Sequence, residues 1–323
     1  MNRRDFLKLA SLLSASMSLG SIALPQLAEA LEELSLGTTP VLWLQLQACS
    51  GCSVSLLNTD EPGPAELLTR YINLLYHSTL STATGELAME ICRTSIRKGG
   101  FILVAEGAVP VGMPEACVMG HAPMGPLLLE AARQAKAIVT VGTCASWGGI
   151  PAAEGNPTGA VSAFDYIRDQ GVKEPPMIRL PGCPVHPDWV VGTLAHVVGF
   201  GLPKLDKLGR PTMFFDRTIH DQCPRFADFE REKFAKTFGD PGCFFELGCA
   251  GPRAYADCTQ RLWNSRTNFC IKAGAPCIGC VMPDFARSKN FPMFPKGMDI
   301  MARRQELLQG AEGQPPKAGD GRS

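Results

Sequence analysis

The chain has 323 residues, and its 31 basic and 31 acidic side chains cancel at neutral pH. This length predicts about two domains and a hydrophobic core that is stable without disulfides. The balanced charge argues against nucleic-acid binding, which requires a basic surface. The 13 cysteines are an odd number, and several are closely spaced, so metal binding explains them better than a disulfide framework.

The first thirty residues have the composition of an export signal. Arg3 and Arg4 precede a weakly apolar stretch (9–24), which is followed by Ala28-Glu29-Ala30. This order of basic, apolar and small residues is typical of a cleaved signal peptide, and the paired arginines resemble the twin-arginine export motif. We therefore expect residues 1–30 to be a twin-arginine signal peptide and the mature protein to be periplasmic. An amphipathic first helix is the alternative, but the segment has no polar face.

The remainder of the chain has no predicted membrane anchor. No stretch after residue 30 reaches the roughly 18 consecutive apolar residues that a transmembrane helix needs. The C-terminal residues 311–323 are rich in Pro, Gly and polar side chains, and we expect them to be disordered.

Between residues 40 and 201, short apolar segments alternate with helical patterns. The segments 41–46, 101–104, 137–141 and 177–180 are predicted strands that are buried on both faces. Predicted helices cover residues 63–75, 85–98, 124–134, 160–169 and 187–198. This alternation predicts an α/β domain with a doubly wound parallel sheet over residues 31–205.

Beyond residue 205 the strand–helix alternation stops. Cys, Pro, Gly and aromatic residues are concentrated there, with a single helical stretch predicted over residues 225–237. We expect a linker around residues 203–211 and a smaller, loop-rich domain over residues 206–310.

Three predicted strands lead directly into cysteine. Cys49 and Cys52 follow the first strand, Cys144 follows 137–141, and Cys183 follows 177–180. Binding sites in open parallel sheets form beyond the carboxyl ends of the strands, so we expect these four thiolates to converge from three neighbouring strands. A glycine next to each position lets the backbone turn sharply or approach an inorganic core closely.

The second half carries a denser array of one histidine and seven cysteines. These residues are His220, Cys223, Cys243, Cys249, Cys258, Cys270, Cys277 and Cys280. Tetrahedral thiolate sites hold zinc or iron–sulfur, but only the last two cysteines have the spacing of a zinc knuckle. Eight ligands make two sites, and the first half makes a third. Three metal sites in one exported protein favour a chain of redox centres, with structural zinc as the alternative.

The cysteine motifs resemble those of the nickel–iron hydrogenase small subunit. The matching segments are CSGCSVSLLN (49–58), VGTCASWGGIP (141–151) and PGCPVHP (181–187), followed by His220-x-x-Cys223 and the later cysteines. The resemblance covers nearly the whole chain after residue 30. It implies a flavodoxin-like domain with a proximal cluster, followed by a smaller iron–sulfur domain with medial and distal clusters.

The resemblance also implies a ligand set for each cluster. A proximal 4Fe–4S cluster would be bound by Cys49, Cys52, Cys144 and Cys183. A distal 4Fe–4S cluster would be bound by His220, Cys223, Cys243 and Cys249.

The medial site departs from the commonest family pattern. Most members hold a 3Fe–4S cluster there with three cysteines, which match Cys258, Cys277 and Cys280, and they have proline at the position of Cys270. A fourth thiolate lets a cubane keep all four irons. We therefore expect Cys270 to complete a medial 4Fe–4S cluster, as in the nickel–iron–selenium subgroup. A medial 3Fe–4S cluster with an unligated, buried Cys270 is the alternative.

The cysteines left over are too few for the site that activates hydrogen. After three clusters only Cys92 and Cys117 remain, whereas the nickel–iron site needs four thiolates, or three and a selenolate. We therefore assign no catalytic residue to this chain and expect a heterodimer with a large subunit that carries the Ni–Fe site. The expected function is electron transfer in a periplasmic uptake-type [NiFe] or [NiFeSe] hydrogenase, with a multihaem c-type cytochrome as acceptor.

Two interpretations remain open beside this one. The first is an iron–sulfur subunit of a quinone-linked complex, although the tandem Cys-Cys pair of that family is absent here. The second is a structural protein stabilised by zinc. Outside the cysteines, Glu106 is expected near the cluster edge of the sheet, on a proton route, at the subunit interface or in a turn. His77 is interpreted as a surface or packing residue.

Overall fold

A five-stranded parallel sheet forms the centre of the computed structural model, which describes residues 40–287. The predicted signal peptide and the predicted disordered tail lie outside the described residues. The strands in chain order are β1 (Pro40–Gln45), β2 (Asn73–Tyr76), β3 (Ile102–Glu106), β4 (Ala108–Pro110), β5 (Val118–Met119), β6 (Ala122–Pro123), β7 (Ala137–Val141), β8 (Ala160–Ser162) and β9 (Met177–Leu180). The central sheet has the order β2-β1-β3-β7-β9 with all pairs parallel. This order is the flavodoxin-like one, which confirms the predicted fold class.

The helices of residues 40–287 cover both faces of the sheet. They are α1 (Gly51–Leu56), α2 (Pro64–Glu66), α3 (Gly85–Lys98), α4 (Met124–Gln134), α5 (Gly142–Trp147), α6 (Ala163–Asp169), α7 (Pro187–Phe200), α8 (Thr212–Phe215), α9 (Phe226–Glu230) and α10 (Cys258–Arg261). A π-helical turn (Leu67–Tyr71) follows α2, and 3₁₀ turns span Pro114–Ala116, Ile150–Ala152 and Phe245–Leu247. Successive strand residues point to opposite faces, so Val41 and Trp43 enter one core while Leu42 and Leu44 enter the other.

The strand register brings the carboxyl ends of the inner strands to one edge. Gln45 at the end of β1 pairs with Glu106 at the end of β3, and Glu106 pairs with Val141 at the end of β7. Val141 in turn pairs with Leu180 at the end of β9. Every loop that follows these strands therefore starts at the same edge of the sheet.

Three predicted helices differ from the structure. The helix expected over 63–75 ends at Tyr71, because the next residues hydrogen-bond to β1 as the edge strand β2. The helix expected over 160–169 starts at Ala163, because residues 160–162 pair with β4 and the Ser162 hydroxyl caps the helix by accepting from the Asp165 N–H. The helix expected over 225–237 has only five residues, and Glu232 just beyond it has a φ of 55°.

The cysteine-rich half packs directly on the sheet. One hydrophobic core combines Ile178 of β9 and Trp189 of α7 with Ala250, Ile271 and Val281 from the second half. The predicted division into domains at residue 205 remains a prediction from composition. Among residues 40–287, no helix has both the length and the apolar character of a membrane span.

Candidate metal centres

The first group of candidate ligands lies at the carboxyl edge of the sheet. β1 leads to Cys49 and to Cys52 in α1, β7 leads to Cys144 in α5, and β9 leads to Cys183. The expectation of three neighbouring strands was wrong in one respect, because β3 lies between β1 and β7. The residue that β3 brings to this edge is Glu106.

Glycines bring the backbone close to the sulfur atoms of this group. A Cβ built on Gly142 would lie 2.5 Å from Cys52 Sγ, and one on Gly149 would lie 2.9 Å from Cys144 Sγ. Both glycines also have positive φ values, 82° and 53°, which side chains with a Cβ rarely adopt. Only glycine fits these two positions while the thiols keep their places.

The four thiols form one electrostatic group. Burial, together with the smaller effects of the nearby Cys183 and Cys49, raises the pKa of Cys144 to about 12. Burial also raises the pKa of Cys52 well above its ordinary value, followed by the effects of Glu106, Cys144 and Cys183. Thiols that oppose each other's ionisation in this way need a positively charged partner before they can become thiolates together.

Glu106 accepts five hydrogen bonds although it is 2 % exposed. Its Oε1 accepts from the backbone N–H groups of Cys52 (3.1 Å) and Ser53 (3.3 Å). Its Oε2 accepts from Trp43 Nε1 (2.9 Å), Gln45 Nε2 (3.4 Å) and the Ser53 hydroxyl. All five partners are donors, which suits a carboxylate. This side chain therefore fixes the backbone that carries Cys52.

His77 extends this network and is fully buried. Its Nδ1 accepts from the Thr79 N–H at 3.1 Å, so the proton is on Nε2, which donates to Ser53 Oγ at 2.9 Å. Burial lowers the pKa of His77 to about 4, against a smaller opposing effect of Glu106. The surface alternative for His77 was wrong, because the side chain is fully buried. The sequence offers no signal of its hydrogen bond to Ser53.

The second group of candidate ligands lies in the loops of the cysteine-rich half and consists of His220, Cys223, Cys243 and Cys249. The Cys223 N–H donates to the His220 carbonyl at 3.0 Å, and the His220 N–H donates to the Gly251 carbonyl at 3.1 Å. Burial, together with the smaller effects of Cys249 and Cys223, raises the pKa of Cys243 to about 12. The His220 ring packs edge-on against Phe226 and Phe229, with ring centroids 5.0 and 4.5 Å apart.

The third group contains Cys258, Cys277 and Cys280. Burial raises the pKa values of Cys258 and Cys277 well above the ordinary value, and that of Cys280 to about 12. Cys270 is an exposed residue, but its thiol is near enough to raise the pKa values of Cys258 and Cys280. The third group thus has a fourth sulfur beside it.

The three groups are contiguous in a definite order. The Ala250 N–H next to Cys249 donates to the Cys277 carbonyl at 2.7 Å, and Cys249 raises the pKa of Cys277. On the other side, Cys183 of the first group lies close enough to raise the pKa of Cys280. The third group therefore lies between the first and the second.

The donor sets fit iron–sulfur clusters. Two groups offer four cysteines each and one offers three cysteines with a histidine, and each thiolate of a cubane binds a different iron. Backbone N–H groups donate at 3.4 Å to Cys223, Cys249 and Cys277 sulfur atoms, a pattern that stabilises sulfur ligands and tunes clusters. Among residues 40–287, no three His, Cys, Asp or Glu side chains converge on a single ion position.

The two unassigned cysteines lie in the other core. Cys92 in α3 and Cys117 are buried free thiols, and burial raises the pKa of each to about 11. Both pack in the core that contains Leu42 and Leu44, on the opposite face of the sheet from the second and third groups.

Comparisons with known proteins identify the class. Residues 215–293 match the family that describes the C-terminal part of the NiFe/NiFeSe hydrogenase small subunit, and residues 49–197 match that of the NADH ubiquinone oxidoreductase 20 kDa subunit. The periplasmic [NiFeSe] hydrogenase small subunit of Desulfomicrobium baculatum is 41 % identical over 90 % of this chain and 98 % of its own. The periplasmic [NiFe] hydrogenase small subunit of Solidesulfovibrio fructosivorans is 37 % identical over 88 % and 90 %.

Solved structures agree with the sequence relatives. The [NiFeSe]-hydrogenase of Dm. baculatum superposes with a TM-score of 0.75 at 42 % identity, over 80 % of this chain and 99 % of that one. The actinobacterial-type NiFe-hydrogenase of Ralstonia eutropha H16 gives a TM-score of 0.74 at 29 % identity, over 89 % and 94 %. The chain belongs to the family of NiFe and NiFeSe hydrogenase small subunits. The match to the ubiquinone oxidoreductase subunit covers only residues 49–197.

Proposed function

We propose that this chain is the electron-transfer subunit of a periplasmic uptake-type hydrogenase and binds three 4Fe–4S clusters. The proximal cluster would be held by Cys49, Cys52, Cys144 and Cys183, and the distal one by His220, Cys223, Cys243 and Cys249. The medial one would be held by Cys258, Cys270, Cys277 and Cys280. The observation that carries this proposal is the contiguous row of three ligand groups, each with four donor side chains.

The bound clusters would supply single-electron acceptor and donor sites. The chain's own residues would hold these sites and shield part of each from water. Half-buried Cys258 and Cys277 and the glycine-lined first group border these sites, while Phe226 and Phe229 pack on the His220 ring. A neutral imidazole in place of a thiolate makes the distal site less negative, which eases its reduction.

The hydrogen-activating site would lie on a separate large subunit in a heterodimer. That partner would convert one H2 into two protons and two electrons, and the electrons would leave this chain one at a time at the His220 end. We propose a multihaem c-type cytochrome as the acceptor. Relatives named periplasmic and the twin arginines at Arg3 and Arg4 support export by the twin-arginine route.

The metal content of the purified heterodimer tests this proposal. Prepared without oxygen, the protein should be brown, and this subunit should add about twelve iron atoms and as many sulfides to those of its partner. A colourless protein that contains zinc would show the structural alternative to be correct. Hydrogen uptake by this chain alone would also contradict the proposal.

A variant of Cys270 tests the medial site. Cys270→Ala should lower the iron content by about one atom per heterodimer and produce the EPR signal of an oxidised 3Fe–4S cluster. Cys117→Ala is the matched control, because it removes a buried thiol outside the three groups and should leave the iron unchanged. A wild-type protein that already shows a strong oxidised 3Fe–4S signal would rule out a medial 4Fe–4S cluster.

A further inference from the structure

One buried hydroxyl connects the first and third ligand groups. Thr143 directly precedes Cys144 and is 1 % exposed. Its Oγ1 accepts a hydrogen bond from the Gly182 N–H at 2.9 Å and donates one to the Cys280 carbonyl. The Thr143 N–H also donates to the Gly182 carbonyl at 2.9 Å. The hydroxyl thus touches the backbone beside Cys183 and the backbone of Cys280.

The place of this hydroxyl in the chain is unusual. Gly182 and Cys280 belong to different halves of the protein, and Thr143 is 137 residues away from Cys280 in sequence. On the sulfur side of the same junction, the Cys183 N–H and the Cys280 sulfur are close enough to interact. The first and third ligand groups therefore meet at a junction where the Thr143 hydroxyl links the backbone of Gly182 to the backbone of Cys280.

We propose that Thr143 is a positioning residue that sets the separation between the proximal and medial ligand groups, and thereby the rate of electron transfer between them. This inference rests on the proposed function. In the step concerned, one electron leaves the proximal site, which is oxidised, and enters the medial site, which is reduced. No bond forms or breaks and no proton moves. The rate of such a step falls steeply with distance, so a small displacement of Cys280 changes it.

The physical basis of this role is that the Thr143 hydroxyl makes two hydrogen bonds at once, one as donor and one as acceptor. A hydroxyl both accepts and donates, and here each role is filled by a buried backbone group. Without it, the Gly182 N–H and the Cys280 carbonyl lose their partner, and buried polar groups are rarely left unpaired. The backbone must then shift or admit water, and either change separates the two groups.

Two variants of Thr143 and one control isolate this effect. Thr143→Val keeps the shape and removes the hydroxyl, whereas Thr143→Ser keeps it. Thr140→Val is the matched control, because Thr140 is also fully buried and its hydroxyl donates to the Ile178 carbonyl at 3.2 Å within the sheet. Each variant is purified as the heterodimer with its partner. Iron content, the magnetic interaction between reduced clusters in EPR, and the ratio of hydrogen uptake to hydrogen–deuterium exchange are then measured.

The exchange reaction is a useful reference, because it takes place on the partner subunit and needs no electron to leave through this chain. We expect Thr143→Val to retain its iron, to show a weaker magnetic interaction and to lower the ratio of uptake to exchange several-fold. Thr143→Ser and Thr140→Val should behave like the wild type.

An unchanged ratio and unchanged magnetic interaction in an iron-loaded Thr143→Val protein would overturn the inference. An equal effect of Thr140→Val would overturn it too. Loss of iron from the Thr143→Val protein alone would do the same, because a residue that only sets spacing is not needed for loading. Absence of iron from the wild type would instead refute the proposed function.

Discussion

Replacing Glu106 by glutamine would test whether this carboxylate organises the proximal loop. Glu106 is 2 % exposed and all five of its partners donate to it. A glutamine side chain keeps the shape but turns one acceptor oxygen into an NH2 donor. If the NH2 group replaces Oε1, the N–H groups of Cys52 and Ser53 lose their acceptor. If it replaces Oε2, the indole of Trp43 and the other two donors lose theirs.

At least two buried donors are therefore left unpaired in either orientation. At about 1–3 kcal/mol for each such group, the variant should lose roughly 2–6 kcal/mol of stability. For a unit of this size that corresponds to a midpoint lower by about 5 °C or more. Removing the negative charge should also favour the Cys52 thiolate, whose pKa Glu106 raises, and should make the proximal site easier to reduce.

Thermal bleaching of cluster absorbance in the heterodimer is a suitable assay, read at one heating rate because unfolding with cluster loss is irreversible. The control is Glu154→Gln, which changes an exposed carboxylate. Equal midpoints for Glu106→Gln and this control would refute the idea that the five hydrogen bonds fix the loop.

Three further predictions follow from single side chains. The pKa of His77 is lowered to about 4 in the folded protein, below the unfolded value of roughly 6.5. The free energy of unfolding should therefore be unaffected by His77 above pH 6.5. It should fall as the pH is lowered from 6.5 to 4, by up to about 1.4 kcal/mol per pH unit, because only the unfolded state binds the proton there. His77→Gln should flatten this dependence of the thermal midpoint on pH, and parallel curves would contradict it. Gly142→Ala should prevent loading of the proximal cluster, measured as lost iron, because its Cβ would meet Cys52 Sγ. Gly171→Ala has the same strained φ with open space around it and should load normally. Arg179→Met removes a guanidinium that lies 3.5 and 4.1 Å from two aromatic rings and pairs with Asp165 at 2.7 Å, so it should cost about 3 kcal/mol. Arg168→Met is the control at an exposed position, and its thermal midpoint should lie within about two degrees of the wild-type value.

Much of the fold was predictable because its signals are local. The strands 137–141 and 177–180 have the predicted bounds, since each is a short apolar segment that ends at glycine or proline. The helices 85–98 and 124–134 also match, because their apolar spacing continues without interruption. The edge strand β2 was missed because its residues also fit a helical pattern, and only pairing with β1 decides between the two.

The same division applies to the site. By itself the sequence determined the family, the number of donors and which cysteines follow which strands, because all of these are read from residue identity and short spacing. Only the tertiary structure decided that Glu106 and His77 meet at Ser53 and that Thr143 reaches Cys280. These contacts join residues 24 to 137 positions apart, and such distances are closed by packing of the whole chain rather than by any local pattern.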